Sequence, residues 1–185
     1  SGALKRVNFF PKISGYDFFK FNDLNSLEEK LNELNQKGGV YAVVIEPFSA
    51  TLLESCSENF INGLVDLSKK HGFTIICDEV YCAWYKCGEI FYFKKFKNFQ
   101  PDIITLSKSL GGGKSSISAL VANEKLYDKV YGSFETATLH TTTYNGFGEE
   151  CATAIEAINI LVEEDYESKV KNLEEKIIKH LQILK

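Results

Sequence analysis

The sequence predicts a three-layer α/β/α fold with a mostly parallel sheet, and three observations carry that prediction. Short apolar runs rich in β-branched residues alternate with segments of helical periodicity. The runs are continuous rather than alternating, as expected of strands covered on both faces. Several of them end in charged or glycine-rich segments, which is where ligands bind in such sheets.

The elements follow in order. Aromatic residues crowd Phe9–Phe21, and a short strand is expected near Tyr16–Phe21. Asn25-Ser26 offers an N-cap, with Glu29 placed as in a capping box, for a helix carrying Leu27, Leu31 and Leu34. Gly38-Gly39 ends it. Val40–Ile45 reads as a buried strand stopping at Glu46-Pro47. Ser57 caps a helix with Phe60, Ile61, Leu64, Val65 and Leu67 on its apolar side, closed by His71-Gly72. Phe73–Cys77, Ile103–Leu106 and Ile117–Val121 are further strands. Glu124–Tyr131 and Cys151–Val162 are helices, and Asp165–Lys185 is an amphipathic or linking helix.

Composition narrows the function. The chain has 185 residues, enough for one real core, and 44% hydrophobic with 25% charged residues is ordinary for a soluble domain. A net charge of −4 offers no basic surface for nucleic acid or anionic membrane. No apolar run reaches membrane-spanning length, and the N-terminus lacks the apolar stretch of a signal peptide. Five cysteines (Cys56, Cys77, Cys82, Cys87 and Cys151) in no framework spacing read as reduced thiols of a cytoplasmic protein. Cys82 and Cys87 are at most half a metal site, so no metal is expected. The first residue is Ser1, Met is absent, and the chain stops inside a helical pattern. It therefore reads as a piece of a longer protein or a processed chain: residues 1–163 as a partial large domain, 164–185 as a helix leading onward.

Polar residues at the strand ends carry the chemistry. Asp78 follows Phe73–Cys77, and Lys108 follows Ile103–Leu106. Two such charges make either a structural ion pair or a carboxylate and an amine flanking a cofactor. Pyridoxal 5'-phosphate (PLP) wants both groups. A lysine amine holds its aldehyde as a Schiff base and later moves the α-proton. A carboxylate keeps the pyridine nitrogen protonated. Gly111-Gly112-Gly113 is either a flexible turn or a tight turn beside that lysine; Gly-Lys-Ser here lacks the earlier glycine of a P-loop. The hydroxyl-rich Leu139–Gly146 precedes a helix. It reads as a Thr-rich turn with a capping role or as a phosphate site.

Four blocks then occur in order: Val44-Ile45-Glu46-Pro47, Cys77-Asp78-Glu79-Val80, Pro101–Gly113 and His140–Tyr144. Together they resemble the class III (ω-type) aminotransferases of PLP fold type I, and Ser1–Leu4 resembles the segment past that family's His-Gly turn. The resemblance implies that Asp78 pairs with the pyridine nitrogen, Val80 packs on the ring and Lys108 forms the Schiff base. It places Thr143 on the phosphate of a neighbouring subunit's cofactor, hence a homodimer, and Glu46 near the substrate. The partners it implies are a small-molecule amino donor and a carbonyl acceptor. Tyr81 stands where the family often has a Gln that contacts the ring hydroxyl. Phe48–Leu52 and Asn145–Gly148 also depart from the family pattern, which bears on substrate choice. The family's N-terminal phosphate loop and C-terminal arginine lie outside these residues, so the isolated segment is expected to be inactive. Other PLP reactions on this scaffold (aminomutase, racemase, decarboxylase), or a non-catalytic module of a larger assembly, are the competing expectations.

Overall fold

The computed structural model describes residues 14–184. The Ser1–Leu4 match and Phe9-Phe10 therefore lie outside the described residues. Four strands, β1 (Ala42–Ile45), β4 (Thr74–Asp78), β5 (Ile103–Leu106) and β6 (Ala119–Ala122), pair in the order β1-β4-β5-β6. The chain divides into two compact units. One holds the described residues up to Asp78 together with Phe93–Ile104; the other holds Glu79–Tyr92 and the chain from Thr105 onward.

In the first unit, α1 covers Leu24–Asn35 and buries Leu27 and Leu31. Its cap is Asp23 rather than the expected Asn25-Ser26. The Asp23 carboxylate accepts the Ser26 N–H at 2.9 Å, while the Ser26 hydroxyl accepts the Lys20 N–H. An aspartate that satisfies an early helical N–H starts the helix at the next residue, so the Ser26–Glu29 box falls inside it. The strand expected at Tyr16–Phe21 is absent. Asp17 takes up the Phe18 N–H, Asn22 turns to φ 57°, and no described strand pairs there. Phe19 instead stacks on Phe60 at 6.2 Å.

Strand β1 (Ala42–Ile45) leads into a small antiparallel hairpin, β2 (Phe48–Ser49) and β3 (Glu54–Ser55). Two-residue strands carry no readable periodicity, which is why the sequence did not signal them. Helix α2 (Glu58–His71) is capped as expected. The Ser57 hydroxyl accepts the Phe60 N–H, and Gly72 closes the helix at φ 75°. Gly63 lets α2 approach α1, because a Cβ there would overlap the Leu24 side chain. The contact between the helices is dry: Leu27, Leu31, Ile61 and Leu64 have 0–1% exposure. Each such side chain is worth about 2 kcal/mol of burial.

Strand β4 (Thr74–Asp78) runs parallel to β1, with Val43 opposite Ile75 and Ile45 opposite Cys77. These four residues are buried, while Val44 on the other face is exposed. A short 3-10 turn, Tyr92–Lys95, leads into a cluster in which Phe93 and Phe96 meet Phe99 edge-to-face. Then comes β5 (Ile103–Leu106). Asp102, just before it, grips β4 at both polar atoms of one residue. Its carboxylate accepts the Ile75 N–H at 2.8 Å, and its own N–H donates to the Ile75 carbonyl at 3.0 Å. Further along, the Glu79 N–H donates to the Thr105 carbonyl at 3.0 Å. Both strands advance together through these bonds, so β4 and β5 are parallel.

In the second unit a 3-10 turn at Lys108–Gly111 precedes β6 (Ala119–Ala122). Helix α3 (Glu124–Tyr131) is capped by Asn123, whose side chain accepts the Leu126 N–H. Helix α4 (Gly148–Glu163) starts earlier than its apolar spacing suggested. Helix α5 (Tyr166–Ile183) follows a break at Asp165, which sits at φ 48° and accepts the Ser168 N–H. Among the described residues no helix is long and apolar enough to cross a membrane.

The Asp102 grip makes a first prediction. Asp102→Ala leaves the Ile75 N–H without its acceptor and should cost about 1–3 kcal/mol in urea unfolding. Asp102→Asn, which keeps an acceptor oxygen, should recover much of the loss. An alanine variant as stable as the parent would contradict this. The thiols make a second. No disulfide joins the five cysteines, and Cys56, Cys77 and Cys82 are buried while Cys87 and Cys151 are half-buried. Burial, aided by the negative charge of Glu46, pushes the Cys56 thiol from 9.0 up to about 12. A raised folded-state value means that this thiol's contribution to stability is complete below pH 9 and is lost as the pH climbs toward 12. The thiolate is the reactive form, so at pH 8 a thiol reagent should modify Cys87 and Cys151 first. Cys56 should react only at the rate of unfolding.

Candidate active site

The sheet delivers its polar residues at the C-terminal ends of the strands. In the first unit Glu46 follows β1. Its carboxylate accepts the Ala50 N–H at 2.9 Å, and its carbonyl accepts the Cys56 thiol at 3.6 Å. Glu46 thus shapes the β2–β3 hairpin while remaining half-buried. Asp78 is the last residue of β4 and is also half-buried. Both carboxylates line one cavity of about 920 Å³, whose wall includes Tyr41 and Val44.

The second unit begins with Glu79, whose burial is complete. Its carboxylate accepts the Tyr92 N–H at 3.0 Å and the Cys82 thiol at 3.1 Å. A buried carboxylate is tolerated only when its oxygens are occupied by donors. Here those donors gather the two ends of the segment Glu79–Tyr92. Val80 and Tyr81 lie half-buried at its start, and the Lys86 ammonium sits 5.2 Å from the centre of the Tyr81 ring. Trp84 and Tyr85 both adopt positive φ, 62° and 60°. Bonds from Trp84 N to the Ile90 carbonyl (2.6 Å) and from Tyr85 N to the Glu89 carbonyl (3.0 Å) hold them there. Left-handed backbone in bulky residues costs about 1–2 kcal/mol each and persists only where neighbours impose it.

Lys108 opens the 3-10 turn after β5 with φ 49°, another left-handed non-glycine. Its side chain is exposed and makes no ion pair among the described residues. With Ser107, Ser115, Ser116, Ile117 and Ser118 it lines a cavity of about 350 Å³. The Ser107 hydroxyl donates to the Ile117 carbonyl at 3.1 Å, pinning the two sides of this cavity together. Gly112 and Gly113 follow at φ 60° and 74°. A Cβ on Gly112 would stand 3.0 Å from the Ala157 Cβ, so the glycine admits α4 against the lysine turn. The glycine run is therefore a tight, packed turn.

Thr143 lies in an exposed turn ahead of α4. The N-cap of α4 is Phe147, with no side-chain capping bond. The threonines do not cap this helix, which removes the capping reading of that segment. Of the residues singled out in the sequence, Glu46 and Asp78 share the first unit; Val80, Tyr81, Lys108 and Thr143 belong to the second. The sequence assigns no role of their own to Glu79, Asp102 and Ser115, although Glu79 and Asp102 fall within the ordered blocks. For Glu79 and Asp102 the signal was a carboxylate directly flanking a buried strand. For Ser115 there was none beyond its place after the glycines.

The model of the aminotransferase class-III family matches residues 6–185. Among solved structures, the ornithine aminotransferase of Plasmodium yoelii is 30% identical with a TM-score of 0.66, over 78% of this chain and 36% of its own. The ornithine δ-aminotransferase of Plasmodium falciparum is 27% identical with a TM-score of 0.70, over 83% of this chain and 37% of its own. The ornithine aminotransferase of Toxoplasma gondii is 25% identical with a TM-score of 0.78, over 91% of this chain and 38% of its own. The chain thus spans little more than a third of the length of these relatives. With nearly all of its residues matched by the family model, this chain belongs to the class III aminotransferases.

Proposed function

We propose that this protein acts as a PLP-dependent aminotransferase with Lys108 as the cofactor lysine. The observation that carries the reading is the state of Lys108. It is held in a left-handed conformation at a strand end, makes no ion pair among the described residues, and opens onto a polar cavity. The residues present fit PLP: in the second unit an amine with hydroxyls around it, and in the first a carboxylate at the end of β4.

When bound, PLP supplies an aldehyde that captures amines and a ring that takes up electrons. The chain's residues do the rest. Lys108 Nζ tethers the cofactor covalently and, once released, carries the proton of the substrate α-carbon. The Asp78 carboxylate holds a proton on the ring nitrogen. Val80 packs on the ring face, and the Tyr81 phenol takes the place of the family's glutamine near the ring hydroxyl. Thr143 binds phosphate across a homodimer interface, and Glu46 borders the substrate. The amino group passes from an amine or amino acid to a keto acid or aldehyde. The names of the relatives make ornithine the first donor to test. Five thiols without a disulfide support a reducing compartment such as the cytoplasm.

Borohydride reduction of the full-length protein followed by peptide mapping should place a pyridoxyl group on Lys108. Lys108→Ala should abolish that label and lower transamination by about 10³-fold or more, and Asp78→Asn should lower it by about 10²-fold. A label on another lysine, or an active Lys108→Ala protein, would overturn the reading.

A further inference from the structure

Ser115 holds a polar atom that the described fold leaves without a use. Its hydroxyl oxygen is shielded from solvent and has no hydrogen-bond partner. Buried hydroxyls nearly always find one, so an orphan of this kind points to a group that arrives from elsewhere. Ser115 is one of the residues that line the Lys108 cavity. There the neighbouring Ser107 hydroxyl is already committed to the Ile117 carbonyl. The backbone fixes Ser115 in place: the N–H groups of Lys114 and Ser115 both donate to the Gly111 carbonyl, at 2.9 and 3.2 Å. Gly111 closes the turn that Lys108 opens, and a Cβ on it would stand 3.1 Å from the Ser115 oxygen. The absence of a side chain at Gly111 lets the hydroxyl lie close against the lysine turn. A cavity of about 350 Å³ falls within the range of small-molecule sites.

We propose that Ser115 is a cofactor-positioning residue, its hydroxyl hydrogen-bonding a polar atom of the molecule that Lys108 tethers. This rests on the PLP reading of Lys108 and adds a contact made by the turn after the glycines. The bond fixes how the tethered molecule sits against the amine, so it acts on cofactor retention and on the electronic state of the bound cofactor.

The test compares Ser115→Thr with Ser115→Val in the full-length protein. The two have the same shape and differ in the hydroxyl. PLP affinity is measured by equilibrium dialysis, and the visible absorption of bound PLP is followed against pH. The threonine variant should bind within about threefold of the parent and keep its spectrum; the valine variant should bind about 5- to 30-fold more weakly, with a displaced pH profile. Gly111→Ala, which crowds the Ser115 oxygen without removing it, should shift affinity in the same direction, and it serves as the readout if the valine variant fails to fold. Equal affinity and spectra for the threonine and valine variants would overturn the proposal and leave the hydroxyl a role in packing or water binding alone. A parent protein with no pyridoxyl group on Lys108 after borohydride would overturn the PLP reading, and this proposal with it.

Discussion

The hydrogen bond from the Ile75 N–H to the Asp102 carboxylate, with its return bond from Asp102 N to the Ile75 carbonyl, sets the alignment of β4 with β5. A one-residue slip in a strand turns every side chain to the opposite face. Were β5 to slip, Ile104 and Leu106 would leave the core and Thr105 would enter it. Asp102 removes that freedom at the start of the strand. Downstream, the Glu79 N–H on the Thr105 carbonyl ties the end of β4 to β5 three residues before the lysine. Backbone bonds therefore fix the end of β4 and the start of β5, independently of the side chains beyond them. That is the condition a covalent cofactor site needs, because its reacting atoms must be placed by rigid elements.

The local conformations nearby run against intrinsic preference. Lys108, Trp84 and Tyr85 all have positive φ, where a Cβ crowds the backbone. The compensation for the aromatic pair is visible: two short backbone bonds close the Trp84–Ile90 loop, and the Trp84 ring meets Phe91 at 5.4 Å. Glu79 closes the same segment from inside through Tyr92 N and the Cys82 thiol. Four polar bonds and a buried ring thus offset the strain in a stretch with no regular secondary structure of its own.

Much of this was legible in the sequence. The alternation of apolar runs and helical segments gave the α/β class. The Ser57 cap, the Gly72 stop and the limits of Glu124–Tyr131 follow from side-chain chemistry that acts within a few residues. The ordered blocks around Asp78 and Lys108 gave the family. What failed depended on contacts distant in sequence or on local competition. Tyr16–Phe21 has strand-like composition, but its aromatic residues pack on α2 through Phe19 and Phe60. Asp23 displaced Ser26 as a cap because a carboxylate three residues ahead of an N–H reaches it first. The roles of Asp102 and Glu79 come from partners 27 and 13 residues away, which no pattern of spacing encodes.

The central claim is that Lys108, delivered by a register-locked strand, is the residue that tethers the cofactor while Asp78 attends its ring nitrogen. A crystal structure of the full-length protein grown with PLP tests it most directly. The expected result is continuous density from Lys108 Nζ to the cofactor, with an Asp78 carboxylate oxygen within hydrogen-bond distance of the pyridine nitrogen. Cofactor density joined to a different lysine, or an Asp78 side chain turned away from the ring, would contradict it.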